Sequence, residues 1–157
     1  APDCGDILYN TYQDFNRQHH DTMIREVPGV VAVLEELERR GIAIGIVTSK
    51  RLVSAERSLN RFDLAGHFDV LITQDDTTRH KPDPAPLLCG LERMKLPAAA
   101  VIYVGDAIHD IIAAHAVPMR VAAVTWGAEE RATLASLQPD WLIDDMAQLL
   151  AIINLQS

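Results

Sequence analysis

Short apolar segments alternate with helix-like segments along most of this 157-residue chain. The clearest apolar segment is residues 42–48, Ile-Ala-Ile-Gly-Ile-Val-Thr, which is rich in β-branched residues. An uninterrupted apolar segment of this length is typical of a strand that is covered on both faces. Strands that alternate with helices through short loops indicate right-handed crossovers. The sequence therefore predicts an α/β fold with a parallel sheet and helices on both of its faces.

The predicted elements follow one another without repeats or flexible linkers. Ligands of such a sheet bind beyond the carboxyl ends of its strands, so the residues just after each strand indicate function. We expect strands at 42–48, 68–73, 100–104, 120–125 and 141–143. We expect helices at about 7–25, 28–40, 52–62, 84–95, 108–116 and 129–137, and a last helix from 145.

The charge and the cysteines exclude several classes of function. The chain has 14 Lys and Arg against 22 Asp and Glu, a net charge of −8, which disfavours a nucleic-acid-binding surface. Its apolar runs are far shorter than the roughly 18–20 residues that span a bilayer, and its first residues do not resemble a signal peptide. Cys4 and Cys89 fit no Cys-x-x-Cys pattern. We expect a cytoplasmic protein with reduced thiols, no membrane partner and no nucleic-acid partner.

Hydroxyl groups follow the first predicted strand. Thr48, Ser49 and Lys50 come directly after the apolar run, where the next helix begins. A hydroxyl next to the free N–H groups of a helix start can hold a phosphate group. Alternatively, Thr48 or Ser49 only caps the helix.

A lysine stands at the start of a proline-rich segment after the second predicted strand. Pro82, Pro84 and Pro86 alternate over five residues directly after Lys81. Proline has a fixed φ angle, so the segment is stiff and holds Lys81 in place. A fixed ammonium suits the charge of a phosphoryl group or of a carboxylate nucleophile. The alternative is an ordinary surface lysine.

Two carboxylates follow the third predicted strand. Asp106 and Asp110 are four residues apart, which places them on one side of a helix that begins there. Mg²⁺ prefers one or two carboxylates together with water and substrate phosphate. The alternative is that each carboxylate only caps the helix and interacts with its dipole.

Taken together, these residues resemble the haloacid dehalogenase (HAD) superfamily of phosphohydrolases. Thr48, Lys81 and the pair Asp106 with Asp110 stand where the second, third and fourth motifs of the family fall. Residues 80–86 and 104–106 are especially similar to phosphoglycolate phosphatases and PpaX-type pyrophosphatases. The resemblance implies a Rossmann-like three-layer sandwich over residues 27–157, preceded in 1–26 by the last part of a helical cap.

The resemblance also implies a reaction. A Mg²⁺-dependent phosphatase of this family hydrolyses a phosphate ester or pyrophosphate of a small substrate through an aspartyl-phosphate. In it Thr48 and Ser49 would bind phosphate, and Lys81 would offset charge. Asp106 would bind the metal, and Asp110 would support it through water or by orienting Lys81. On the cap, His19 and His20 are possible substrate contacts.

The first motif of the family, Asp-x-Asp, is absent, because no two Asp residues in the sequence are separated by one residue. In the family this motif ends a strand that lies in the centre of the sheet, between the strands that end near residues 48 and 104. We therefore expect an N-terminal segment of the same protein, or else another chain, to supply that strand and the nucleophile. The alternatives are an inactive phosphate-ligand-binding or regulatory module and a phosphotransferase of the phosphoglucomutase type.

Overall fold

The computed structural model describes residues 22–154, together with residues 11, 14, 15 and 19 before them. Most of the expected cap segment 1–26 lies outside the described residues, so the division into 1–26 and 27–157 stays a prediction. The helices are α1 (Val30–Arg39), α2 (Leu52–Arg61), α3 (Ala85–Met94), α4 (Ile108–Ala116), α5 (Arg131–Ser136) and α6 (Gln148–Asn154). The strands are β1 (Gly45–Val47), β2 (Val70–Ile72), β3 (Ile102–Gly105), β4 (Arg120–Val124) and β5 (Trp141–Ile143).

The observed elements follow the predicted order, and α4 and β5 have the predicted bounds. The first strand is shorter than predicted, because regular pairing begins only where Gly45 lies opposite Val70. Before that point the backbone N–H of Ile44 donates to the Asp69 carboxylate at 2.9 Å. Residues 42–44 at the start of the apolar run therefore form a loop, and Asp69 holds this loop beside β2.

The strands are parallel, as predicted, and form two sheets within the described part of the chain. In the first sheet β1 pairs with β2, with Val47 opposite Ile72. In the second sheet β4 lies between β3 and β5. Thus β1 and β3 each have one strand partner among the described residues.

Helices cover both faces of the second sheet, which confirms the three-layer architecture. Alternate residues of β4 point to opposite faces. Val121 and Ala123 pack in a core with α4 and α5, whereas Ala122 and Val124 pack in a second core with α1 and α6. The most deeply buried large side chains of the first core are Leu87, Ile111, Val121 and Leu134.

Helix α3 connects the two sheets. Its Gly90 lies against β1 and β2: a methyl group there would be 3.3 Å from Val47 Cγ2 and 3.7 Å from Ile72 Cγ1. Leu87 of the same helix is buried in the core that α4 and β4 build. Burial of these apolar surfaces on one helix therefore aligns the carboxyl ends of β1 and β3. Among residues 22–154, no helix combines the length and the apolar character needed to cross a membrane.

Candidate functional site

The ammonium group of Lys81 joins three elements at the carboxyl ends of the strands. It donates to the backbone oxygen of Val47 at 3.1 Å, to the Tyr103 hydroxyl at 3.1 Å and to Asp110 Oδ1 at 2.7 Å. Val47 ends β1, Tyr103 lies in β3, and Asp110 lies in the first turn of α4. The structure thus brings the sequence-predicted residues Lys81 and Asp110 into direct contact.

The Lys81–Asp110 pair is largely removed from solvent, with each side chain about one-tenth exposed (10%/10%). Such a pair is stable only when further hydrogen bonds satisfy both charges. Asp110 Oδ2 accepts the backbone N–H groups of Asp106 at 3.3 Å and Ala107 at 3.2 Å. Asp110 therefore also closes the N-terminus of α4, where the helix dipole favours a negative charge.

Tyr103 is a member of the site that the sequence interpretation missed. Its hydroxyl lies 3.2 Å from Asp110 Oδ1 and 3.4 Å from the Val47 oxygen. Burial, followed by the nearby Asp110 and Asp106 charges, raises the pKa of Tyr103 above its ordinary value of 10.0, so the phenol stays neutral. No local pattern indicates this role, because the contacts of Tyr103 are with Lys81, with the end of β1 and with α4.

The Asp106 carboxylate contacts the loop that follows β4. Its Oδ2 accepts the backbone N–H of Ala128 at 2.8 Å. A methyl group on Gly127 would lie 2.1 Å from Asp106 Cβ, so only glycine permits this approach. The sequence shows a glycine after β4, but it does not show that Gly127 lies against Asp106, 21 positions earlier. Gly127 and Ala128 therefore orient Asp106.

The two carboxylates differ in how well they fit a divalent cation. Among the described residues, no group of three or more His, Cys, Asp or Glu side chains is arranged to hold a metal ion. In the same part of the chain, the second oxygen of Asp106 has no hydrogen-bond donor, which leaves it able to bind a hard cation such as Mg²⁺. Both oxygens of Asp110 already accept hydrogen bonds. Asp110 holds Lys81 in place, which is one of the two expected ways of supporting the metal, and a role of Asp110 in binding the metal itself stays a prediction.

Thr48 and Ser49 lie at the same edge, one and two residues beyond Val47. The backbone N–H of Thr48 donates to the Ile72 oxygen at 2.8 Å and extends the ladder of β1 and β2. Its hydroxyl accepts the backbone N–H of Lys50 at 3.1 Å, so it stabilises a local turn. Ser49 is exposed. Both remain sequence-predicted phosphate ligands, placed next to the carbonyl that contacts Lys81.

The Lys50 ammonium belongs to the same segment and donates to the Ser58 hydroxyl of α2 at 2.9 Å. Partial burial lowers the pKa of Lys50. The expected substrate contacts on the cap stay predictions. His19 is exposed and its ring centre lies 4.5 Å from that of Phe15, whereas His20 lies outside the described residues.

The chain is similar to known proteins over nearly its whole length. A family profile described as haloacid dehalogenase-like hydrolase matches residues 3–124. The chain is 42% identical over 156 residues to a protein of Caldanaerobacter subterraneus subsp. tengcongensis named as a candidate PpaX pyrophosphatase, covering 98% of this chain and 70% of that protein. It is 36% identical over 147 residues to pyrophosphatase PpaX of Bacillus cereus, covering 94% and 68%.

A solved structure has the same fold. The crystal structure of a predicted phosphoglycolate phosphatase from Haemophilus somnus superposes with a TM-score of 0.86 at 28% sequence identity. The superposition covers 97% of this chain and 68% of the other.

Proposed function

This chain belongs to the haloacid dehalogenase-like hydrolases, and we propose that it forms most of a Mg²⁺-dependent phosphatase. The observation that supports the proposal best is the Lys81–Asp110 pair, 2.7 Å long and largely buried, at the strand ends beside Asp106. Relatives named PpaX pyrophosphatase and the fold of a predicted phosphoglycolate phosphatase favour a small phosphate ester or pyrophosphate as substrate.

Each residue of the site has a distinct proposed role. Lys81 presents a fixed positive charge to the phosphoryl oxygens and to a carboxylate nucleophile, which is electrostatic stabilisation by a preorganised group. Asp110 and Tyr103 keep that ammonium in one position. Thr48 and Ser49 bind phosphoryl oxygens through hydroxyl and backbone N–H groups. Asp106 would hold Mg²⁺, which when bound offsets the negative charge of the phosphate.

The nucleophile is proposed to come from a segment that this sequence does not contain. No Asp-x-Asp motif occurs among its 157 residues. The separation of β1–β2 from β3–β4–β5 supports an additional strand between β1 and β3. The facing edges of β1 and β3 carry backbone groups that no described strand pairs, and a strand between them would supply hydrogen-bond partners. The same strand would deliver an aspartate beside Lys81. Its carboxylate would attack phosphorus as the P–O bond to the leaving alcohol or phosphate breaks, and water would then hydrolyse the aspartyl-phosphate to free phosphate.

Phosphate release from pyrophosphate and phosphoglycolate, with and without Mg²⁺, tests this function. We expect the native protein to be active and to lose most of its activity on Asp106→Asn substitution. The matched control is Asp69→Asn, which removes the same charge at the amino end of β2 and should leave activity unchanged. Full activity of Asp106→Asn would refute the metal role of Asp106.

The intact mass of the native, untagged protein tests the proposed additional strand. We expect a mass above 17.3 kDa, the mass of this chain, and no turnover by the 157 residues alone. A stable monomer near 17.3 kDa that hydrolyses phosphate esters would refute the proposed source of the nucleophile.

The absence of Asp-x-Asp favours one second candidate, a module that binds a phosphorylated ligand without hydrolysing it. It predicts that the native protein binds inorganic phosphate and releases none from any ester in the presence of Mg²⁺. Turnover by the native protein would exclude this candidate.

A further inference from the structure

Two adjacent aspartates, Asp75 and Asp76, lie between β2 and Lys81 and point to different partners. Asp76 Oδ2 accepts the backbone N–H of Thr73 at 2.7 Å and its hydroxyl at 2.8 Å, and Oδ1 accepts from Arg93 of α3. Asp76 thereby stabilises the turn formed by residues 73–76. The proposed reaction uses neither aspartate, so the role of Asp75 has to be found in its other contacts.

Asp75 binds the start of α2, which directly follows the expected phosphate-binding residues. Its Oδ1 accepts from Arg51 Nε at 3.0 Å, and its Oδ2 accepts the backbone N–H of Leu52 at 2.9 Å. The residue that precedes α2, Arg51, provides no side-chain cap of its own. A carboxylate 23 residues away in the chain therefore satisfies one of the free N–H groups at this helix end.

Two backbone hydrogen bonds join the same two segments. The N–H of Gln74 donates to the oxygen of Lys50 at 2.9 Å, and the N–H of Thr48 donates to the oxygen of Ile72 at 2.8 Å. Together with the Asp75 contacts, residues 48–52 are tied to residues 72–75 at both ends. The Asp75 side chain contributes at the end nearest to α2, where it accepts from Arg51 Nε and from the backbone N–H of Leu52.

We propose that Asp75 is a positioning residue that holds the segment Thr48–Lys50 in the conformation that binds phosphate. The proposal rests on the proposed function, which assigns phosphate to this segment. A segment that is already ordered binds its ligand more tightly, because the entropy of ordering is not lost again on binding. Asp75 does not touch the ligand and acts through Arg51 and Leu52.

The exposure of the Asp75–Arg51 ion pair limits how much this pair contributes to the stability of the fold. The side chains of Arg51 and Asp75 are 60% and 40% exposed. Exposed ion pairs contribute little to the free energy of unfolding, because water and salt screen them. The ion pair with Arg51 therefore adds little to stability, and the stability that Asp75→Ala costs should come from the lost cap on Leu52.

The sign of the effect separates positioning from simple electrostatics. Asp75 is negative, and its hydrogen bonds from Leu52 and Arg51 keep its pKa below the ordinary value of 3.8. Two negative charges repel each other, so on electrostatic grounds alone the loss of the Asp75 charge would strengthen the binding of a nearby anion. Positioning predicts the opposite: phosphate should bind more weakly after the charge has been removed.

The test is titration of the native protein with inorganic phosphate, followed through the backbone amide NMR signals of Ser49 and Lys50. We expect Asp75→Ala to weaken phosphate binding by about five- to tenfold, the affinity equivalent of losing one helix cap. Asp75→Asn keeps an oxygen that can accept the Leu52 N–H, so it should restore part of the affinity. Asp75→Ala should also lower the unfolding midpoint, as the loss of a helix cap usually does, so its phosphate affinity is compared with that of a control variant that loses a similar bond elsewhere.

Asp69→Ala is the matched control. Asp69 accepts the backbone N–H of Ile44 at 2.9 Å, the same kind of bond at the opposite end of the same strand pair. Unchanged phosphate affinity in this control, with weaker binding in Asp75→Ala, would support positioning. Equal affinities in Asp75→Ala and the unsubstituted chain would overturn it, and so would equal weakening in the control.

A third outcome concerns the proposed function itself. If the signals of Ser49 and Lys50 do not respond to phosphate even in the unsubstituted chain, the phosphate assignment of this segment is wrong. The role of Asp75 toward phosphate then falls with it. The positioning role alone is refuted if the unsubstituted protein binds phosphate and Asp75→Ala binds it equally well.

Discussion

Replacement of Lys81 by methionine should strongly destabilise this protein. The ammonium of Lys81 has three hydrogen-bond partners, and its 2.7 Å contact with Asp110 joins two side chains that are each 10% exposed. Lys81→Met keeps most of the apolar volume but leaves the Asp110 carboxylate without its cation. Removal of one partner from a buried pair costs about 3–5 kcal/mol. This is a large part of the roughly 5–15 kcal/mol by which a domain is stable.

Urea unfolding followed by circular dichroism measures this loss. With a slope of about 1–3 kcal/mol per molar urea, the midpoint should fall by at least about 1 M. The matched control is Lys50→Met, because the hydrogen bond described for the Lys50 ammonium goes to the neutral hydroxyl of Ser58. That substitution should cost about 1 kcal/mol or less.

A double substitution separates the effect of an unpaired buried charge from the effect of the altered side-chain shapes. Lys81→Met combined with Asp110→Leu removes both charges, so no lone charge stays buried. The double variant should be more stable than the sum of the two single losses predicts, with a coupling of about 0.5–3 kcal/mol. If Lys81→Met and Lys50→Met shift the midpoint equally, the argument that Lys81 and Asp110 form a buried, interdependent pair is refuted.

Three further predictions concern single residues. Gly127→Ala should lower stability by about 1–3 kcal/mol through overpacking against Asp106, whereas Gly66→Ala, where a methyl group would meet no atom within 4 Å, should have little effect in the same urea titration. Asp76→Asn should lower the melting temperature at neutral pH. Hydrogen bonds hold the pKa of Asp76 below 3.8, so its contribution is present above that pH and is lost as the pH falls through its folded-state pKa; the two melting curves should converge in acid. Tyr103→Phe should reduce the loss of stability above pH 10.0, because the raised pKa of Tyr103 favours the fold fully below that pH and progressively less above it; melting temperatures on both sides of pH 10.0 check this.

Local sequence patterns predicted the type and order of the elements well. The alternation of apolar and amphipathic segments reports how each segment buries its own side chains, so α4, β5 and the parallel arrangement followed from it. The exact strand ends were less predictable. The run from 42 to 48 is apolar throughout, but regular pairing covers only Gly45–Val47, because the length of a strand depends on its neighbour.

The contacts within the candidate site were only partly predictable. The spacing of Asp106 and Asp110 placed both on one side of a helix start, but it could not show that their partners differ. Asp110 binds Lys81, whereas Asp106 rests on Gly127 and Ala128. These contacts join residues that are more than 20 positions apart, and no local pattern encodes them.

Periodicity and residue order were enough to predict the fold class, the family resemblance and the edge of the sheet where the charged side chains lie. These are properties of single segments. The contact of Tyr103 with the Lys81–Asp110 pair and the hold of Asp75 on the start of α2 became evident only in the folded chain. Such contacts depend on how α3 and the strands pack against one another, because burial of their apolar faces sets the distances between chain segments that are remote in sequence.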